Sequence, residues 1–254
     1  MKIYQQVLIL TVMVFTVLSC SSNQHESHLL IFAAASMTDV LQEITDEYEN
    51  QNSAVEIHFN YGGSQSLAAQ LNQGAPGDIF ISAGFGPVGF LLESEKIMLT
   101  GLAEIALNRL VVVTHPDLGT MMSMEQLLEM DRIAIADPDL APAGWYARES
   151  LQNIGLWDSL LRKIVFGPDV RATLNYVRTG NADAGIVYYT DALSTPELNI
   201  NELIPADSHE NIAYPVVVPV KGEKMAEAMK LAKFLKGDFS RRTLQKYGFM
   251  VPKE

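Results

Sequence analysis

Leu29-Leu30-Ile31-Phe32-Ala33-Ala34-Ala35-Ser36-Met37-Thr38-Asp39-Val40 is the stretch that decides how this chain reads. The apolar run from Leu29 to Ala34 is long enough for a strand and ends in alanines. From Met37 to Glu49, Val40, Leu41, Ile44 and Tyr48 recur on one face, which predicts an amphipathic helix. Ser36 stands where the strand gives way to the helix, and a hydroxyl there can cap it. The N–H groups of a first helical turn lack intrahelical acceptors. Such a turn is therefore a ready anion site, reinforced by the helix dipole.

Working outward, strand-like and helix-like segments alternate, which predicts an α/β fold with mostly parallel sheets. Val55–Asn60, Asp78–Ser82, Leu110–Thr114, Arg132–Ala136, Ala184–Tyr189 and Ile212–Val218 read as further strands. Ser64–Asn72, Val88–Glu95, Met124–Met130, Gly144–Asn153, Val170–Thr179, Met225–Leu235 and Phe239–Tyr247 read as helices. The β-branched run Leu110–Thr114 and the run Ile212–Val218 suggest two crossings between two halves, with Pro215 marking an edge or a bend.

Composition bounds the function. The chain has 254 residues, 48% hydrophobic and 19% charged, enough for one large domain or two small ones. A net charge of −12 argues against nucleic acid, whose phosphates call for a basic face. An anion could still be held, but only by local donors and dipoles.

The N-terminus reads as a targeting segment. Lys2 precedes an apolar stretch from Val7 to Leu18, too short to span a bilayer and suited to a signal-peptide core. It ends at Val17-Leu18-Ser19-Cys20. Cys20 is the single cysteine, so an intramolecular disulfide is impossible. Its placement resembles a bacterial lipoprotein signal, which implies cleavage after residue 19 and a lipid on Cys20. Residues 20–28 then read as a polar tether.

Four further strand ends carry the same kind of turn. Gly62-Gly63-Ser64 allows close backbone approach, with Ser64 as a helix cap. Asp137 to Trp145 places Pro142 in a first helical turn and exposes the N–H groups of Ala143 and Gly144. Asp169 is a good N-cap and leaves the Val170 N–H in front of its helix. Tyr188 ends a buried strand and can aim its hydroxyl into a crevice. Each alone is ordinary turn chemistry. Together they put neutral donors at strand ends, where ligands bind in open α/β sheets. A donor-only lining suits a fully ionised oxyanion such as sulfate, molybdate or tungstate. Phosphate carries a proton near neutral pH and calls for an acceptor beside it.

Enzyme signatures are poor. The Gly62 to Ser66 segment lacks a Gly-x-Ser-x-Gly elbow. His58, His115 and His209 follow no helical metal-binding spacing, and no phosphate-binding Gly-x-x-x-x-Gly-Lys loop occurs.

Several segments, in order, carry a resemblance. They are Phe32 to Thr38, Gly74 to Ala83, Asp137-Pro138 with Pro142-Ala143-Gly144, Gly185 to Tyr188 with Thr190-Asp191-Ala192, and Lys246-Tyr247-Gly248-Phe249. Over nearly the whole mature chain they resemble the molybdate-binding receptors of bacterial ABC importers. Gln65 and Tyr189 depart from that family's usual pattern at the rim.

The resemblance implies a two-lobed periplasmic-binding fold of type II, with a two-stranded hinge. The lobes would be 29–109 with 213–254, and 110–212. It implies contacts to molybdate or tungstate from Ser36 and Ser64 (hydroxyl and N–H), Ala143 and Val170 (N–H), and the Tyr188 hydroxyl. Metal would be held only through the oxyanion, with no cofactor and no catalysis. An ATP-driven membrane permease would be the partner of this monomeric, exported and lipid-anchored receptor. Two alternatives remain at this stage. One is the same fold holding sulfate, phosphate or an organic acid, the last requiring Arg171 or Arg148 in the cleft, although both read first as partners in surface salt bridges. The other is a hydrolase using Ser36 or Ser64.

Overall fold

The computed structural model describes residues 27–201, 204–220 and 224–253. The signal segment and Cys20 lie outside them. Among the described residues, ten strands form two five-stranded sheets, ordered β2-β1-β3-β10-β4 and β7-β6-β8-β5-β9. The first contains β1 (Ser27–Ala34), β2 (Val55–Gly62), β3 (Ile79–Ile81), β4 (Leu99–Asn108) and β10 (Ile212–Pro219). The second contains β5 (Leu110–Thr114), β6 (Ile133–Ala136), β7 (Ile164–Gly167), β8 (Ala184–Tyr188) and β9 (Asn199–Asn201). The helices are α1 (Thr38–Gln51), α2 (Ser64–Asn72), α3 (Gly86–Glu93), α4 (Pro142–Asn153), α5 (Trp157–Leu160), α6 (Val170–Arg178), α7 (Tyr189–Leu193), α8 (Met225–Phe234) and α9 (Asp238–Lys246).

In the first sheet β2, β1 and β3 run parallel, β10 is antiparallel to both its neighbours, and β4 therefore runs with the other three. The second sheet repeats the scheme with β5 as its reversed strand. Each reversed strand is the one entered on crossing from the other sheet. The outward passage is the joint Asn108-Arg109-Leu110, and the return lies between Asn201 and Ile212. The crossings are thus short joints between strands, while β5 and β10 each lie wholly in one sheet.

Pro215 sits inside the sheet, not at an edge, because β10 pairs on both sides. Its missing N–H is accommodated by a register shift between Tyr214 and Pro215 against β4. Strand β1 begins at Ser27, so the strand reaches two residues into the segment read as a tether.

Burial follows the periodicities. Leu29, Ile31 and Ala33 of β1 face α1, whose Val40, Leu41, Ile44 and Tyr48 are buried against them. Phe32 and Phe80 point to the other face, onto Leu67 and Leu71 of α2 and Val88 and Leu91 of α3. Removing such side chains from water at about 25 cal/mol per Å² is the main force holding helix to sheet. No described helix is long and apolar enough to cross a membrane.

Two halves meet on either side of a cleft. On one side the Ser66 N–H donates to the Leu140 carbonyl at 3.2 Å. A Cβ on Gly63 would stand 2.2 Å from that same oxygen, so this closeness requires glycine. On the other side an Arg171 guanidinium nitrogen lies 2.6 Å from an Asp39 carboxylate oxygen. The conformation is closed.

Candidate functional site

Four helix starts and one strand end converge in the cleft. Ser36, Ser64, Ala143, Val170 and Tyr188 all line one small cavity, together with Ala34, Ala35, Gly62, Gly63, Ala83, Ala141, Pro142 and Asp169. The cavity is tight in this conformation: the room for the centre of a water-sized sphere is about 10 Å³, about what one water needs.

The two serines do not cap their helices. Ser36 lies within a 3-10 turn, Ala35–Met37, whose N-cap is Ala34. Ser64 is the first residue of α2, after an N-cap at Gly63. The Ser64 hydroxyl oxygen accepts from the Ala83 N–H at 3.0 Å. Its own proton has no acceptor among the described residues and is available to the cavity.

Ser36 is polarised from further away. The Arg109 N–H donates to Asn108 Oδ1 at 2.9 Å, which orients that amide. Asn108 Nδ2 then donates to Thr190 Oγ1 at 2.8 Å and to the Tyr214 hydroxyl at 3.1 Å. Tyr214 lies 2.9 Å from the Ser36 hydroxyl. Either hydroxyl of this pair can donate; with Tyr214 as the donor, the Ser36 proton is left for the cavity. Burial holds Tyr214 neutral by pushing its pKa up.

Ala143 and Val170 supply backbone donors. Pro142 occupies the first turn of α4, with no N–H to lose, and Ala143 follows it. A Cβ on Gly144 would stand 1.9 Å from the Ala136 carbonyl, so glycine lets α4 start hard against the end of β6. Val170 is the first residue of α6, and Asp169 is its N-cap. Asp169 Oδ1 accepts from the Ala172 N–H at 2.9 Å, which engages this lining carboxylate with the helix.

Tyr188 is 1% exposed, and its hydroxyl has no hydrogen-bond partner among the described residues. A buried hydroxyl left so costs about 1–3 kcal/mol, and a ligand that accepts from it recovers that cost. Burial, then the neighbouring Tyr214, Tyr146 and Asp191, raises its pKa well above the usual value. It remains a donor at any physiological pH.

Neither arginine named from the sequence lines this cavity. Arg171 is no surface salt bridge either. It reaches Asp39 of the first half and, through Nε, the fully buried Asp191 at 2.6 Å. Burial raises the Asp191 pKa to about 7, and Arg171 opposes that rise. Arg148 stacks over Trp145 at 4.9 Å. No described histidine lines the cavity, so neither serine has a base to activate it.

A wider groove of about 550 Å³ opens beside the cavity, walled by Phe90, Trp145, Tyr146, Pro87, Asp139 and Glu210 among others. Its two carboxylates, Asp139 and Glu210, disfavour an anion there.

The pattern "bacterial extracellular solute-binding protein" matches residues 29–250. The chain belongs to this family. It is a solute-binding protein of the extracytoplasmic side and not an enzyme. It is 38% identical to the putative ABC transporter substrate-binding lipoprotein YvgL of Bacillus subtilis over 240 residues, 92% of each chain. It is 35% identical to the molybdate-binding protein ModA of Haemophilus influenzae over 86% of this chain and 88% of that one. Among solved structures, the substrate-binding domain of a putative molybdenum ABC transporter from Clostridium difficile superposes with a TM-score of 0.68 at 34% identity. That match covers 89% of this chain and all of the other.

Proposed function

We propose that this solute-binding protein captures molybdate, and tungstate with it, and delivers the ion to an ATP-driven membrane importer. The observation that carries the reading is the lining. Two serine hydroxyls, first-turn N–H groups and the orphan Tyr188 hydroxyl face one small cavity whose lining carboxylate is engaged in a helix cap. Such a set binds a dianion that carries no proton. The ModA relatives, and the molybdenum transporter domain, support molybdate as that ion.

Ser36, Ser64, Ala143, Val170 and Tyr188 are the ligand contacts in this account. Donors come from both halves, so only the closed form engages them all, and the ion shifts the open–closed equilibrium. The closed form is what the permease recognises. Residues 29–109 with 213–254 form one lobe and 110–212 the other. Export through residues 1–19 and a lipid on Cys20 hold a monomeric receptor at the membrane surface.

The test is the double variant Ser36→Ala, Ser64→Ala. Removing two hydroxyls that donate to a charged group is expected to weaken molybdate binding by roughly 100-fold or more. Unchanged affinity would refute the assignment.

A further inference from the structure

On the first sheet, far from the oxyanion cavity, three ligand-type side chains meet. The parallel register of β1 and β2 sets His28 opposite Glu56 and Leu30 opposite His58. Glu56 and His58 are two apart on one strand, so they project from the same face. His28 Nδ1 lies 2.8 Å from Glu56 Oε2, and His58 Nε2 lies 3.3 Å from Glu56 Oε1. The three ligand atoms all fall within 4.8 Å of one another. The two imidazole rings stack at 5.9 Å, 26° from parallel, with both nitrogens turned to the one carboxylate.

We propose that His28, Glu56 and His58 bind one divalent transition-metal ion of the zinc class. An ion bound at about 2.0–2.2 Å from each ligand keeps those ligands roughly 3–4 Å apart, close to the spacing already present. Two neutral imidazoles and one carboxylate suit zinc, nickel or copper. Calcium and magnesium call for oxygen ligands throughout. Each of the three side chains is about half exposed, so water completes the coordination and the site fills directly from solution. The backbone beneath is fixed by the strand ladder, and Lys224 Nζ donates to the His28 carbonyl at 2.6 Å. That lysine is itself 3.7 Å from Asp78 Oδ2, which offsets its charge. The net charge of −12 favours cations throughout. The alternative role of the trio is to blunt the open edge of β2 with charge, with no ion involved.

The proposal is independent of the oxyanion reading, and its readout is metal. The full chain, without an affinity tag, is purified in detergent, stripped with chelator and titrated with Zn²⁺ and with Ca²⁺ by calorimetry. One equivalent of Zn²⁺ binds and Ca²⁺ does not compete for it. Losing an outer-shell partner typically costs about 10–100-fold in metal affinity, and His28→Ala, His58→Ala or Glu56→Gln costs at least that. Co²⁺ gives a visible ligand-field band that the same variants lose. His115→Ala changes nothing, and molybdate binding by His58→Ala equals that of the unaltered chain, which shows that the variant folds. Zn²⁺ binding that persists in both histidine variants overturns the proposal, as does the absence of saturable Zn²⁺ binding to the unaltered chain.

Discussion

The Ser36 hydroxyl lies 2.9 Å from the hydroxyl of Tyr214, 178 residues further along the chain, and this contact holds the serine hydroxyl in place. Asn108, at the outward crossing, fixes Tyr214 in turn. Tyr214→Phe frees the Ser36 hydroxyl to rotate and to accept. Molybdate affinity should fall about tenfold, a typical net hydrogen-bond contribution. The preference over phosphate should narrow, because a rotating hydroxyl can accept the phosphate proton. Parallel titrations of both anions against both proteins check this; an unchanged ratio of affinities would sink it.

Tyr188 carries the opposite trade. In the closed conformation its hydroxyl is buried and has no partner among the described residues. Tyr188→Phe should leave the melting temperature without ligand unchanged or higher, since no hydrogen bond to a described residue is lost. Molybdate binding should weaken by about 10–150-fold, the range for a hydrogen bond to a charged group. A melting scan with and without molybdate reads both effects. Lower stability in the ligand-free scan would show that Tyr188 has a structural partner.

Arg171 joins two carboxylates of different standing. Asp39 is 43% exposed, and Asp191 is fully buried. Asp39→Asn should cost affinity only a few-fold, because an exposed pair contributes about 0.2–1 kcal/mol to closure. Arg171→Met leaves Asp191 buried and unpaired and should cost about 3–5 kcal/mol of stability. Chemical denaturation of the two variants distinguishes a latch from a structural pair. Equal losses would contradict the distinction.

Asp191 also gives stability a pH dependence. Burial lifts its folded pKa to about 7 from an ordinary 3.8. Between those values the folded state holds the proton more tightly than the unfolded state. Its contribution is therefore complete below about pH 4 and is lost as pH rises through 7. Asp191→Asn removes that slope. The melting temperature of the unaltered chain should drop relative to the variant between pH 5 and pH 8. A constant difference would place the Asp191 pKa near its usual value in the fold.

The overall charge predicts the kinetics. A protein of net charge −12 and a dianion repel at long range. Salt screens that repulsion over about 10 Å at 0.1 M. Raising ionic strength should therefore speed association, the reverse of a steered ligand. Trp145, half-exposed on the groove beside the cavity, offers a fluorescence signal for stopped flow. Association that slows with salt would reveal a local positive field.

The turns were legible in the sequence because apolar runs end there in small residues, serine or proline, and tertiary context does not alter that chemistry. The runs at Leu29–Ala34 and Leu110–Thr114 gave their strands for the same reason. Strands β4, β7 and β9 are not legible in the sequence. All three lie at sheet edges, β9 is only three residues long, and the burial pattern of β4 is too mixed to show a period of two. What the hydroxyls do could not be read at all. Ser36 and Ser64 look like helix caps locally, but they are taken up by Tyr214 and by the Ala83 N–H, both distant in sequence. Arg171 looked like a surface residue because Asp39 lies 132 positions away. The His28, Glu56 and His58 cluster was hidden for a related reason: strand register, which no helical spacing test detects, creates it.

The central claim is that the cavity holds a fully ionised tetrahedral oxyanion by donors alone. Calorimetric titration of the chain from Ser27 onward with molybdate, tungstate, sulfate and phosphate tests it most directly. Molybdate and tungstate should bind tightly and one-to-one, and the other two weakly. Phosphate bound as tightly as molybdate, or no heat with any of the four, would contradict it.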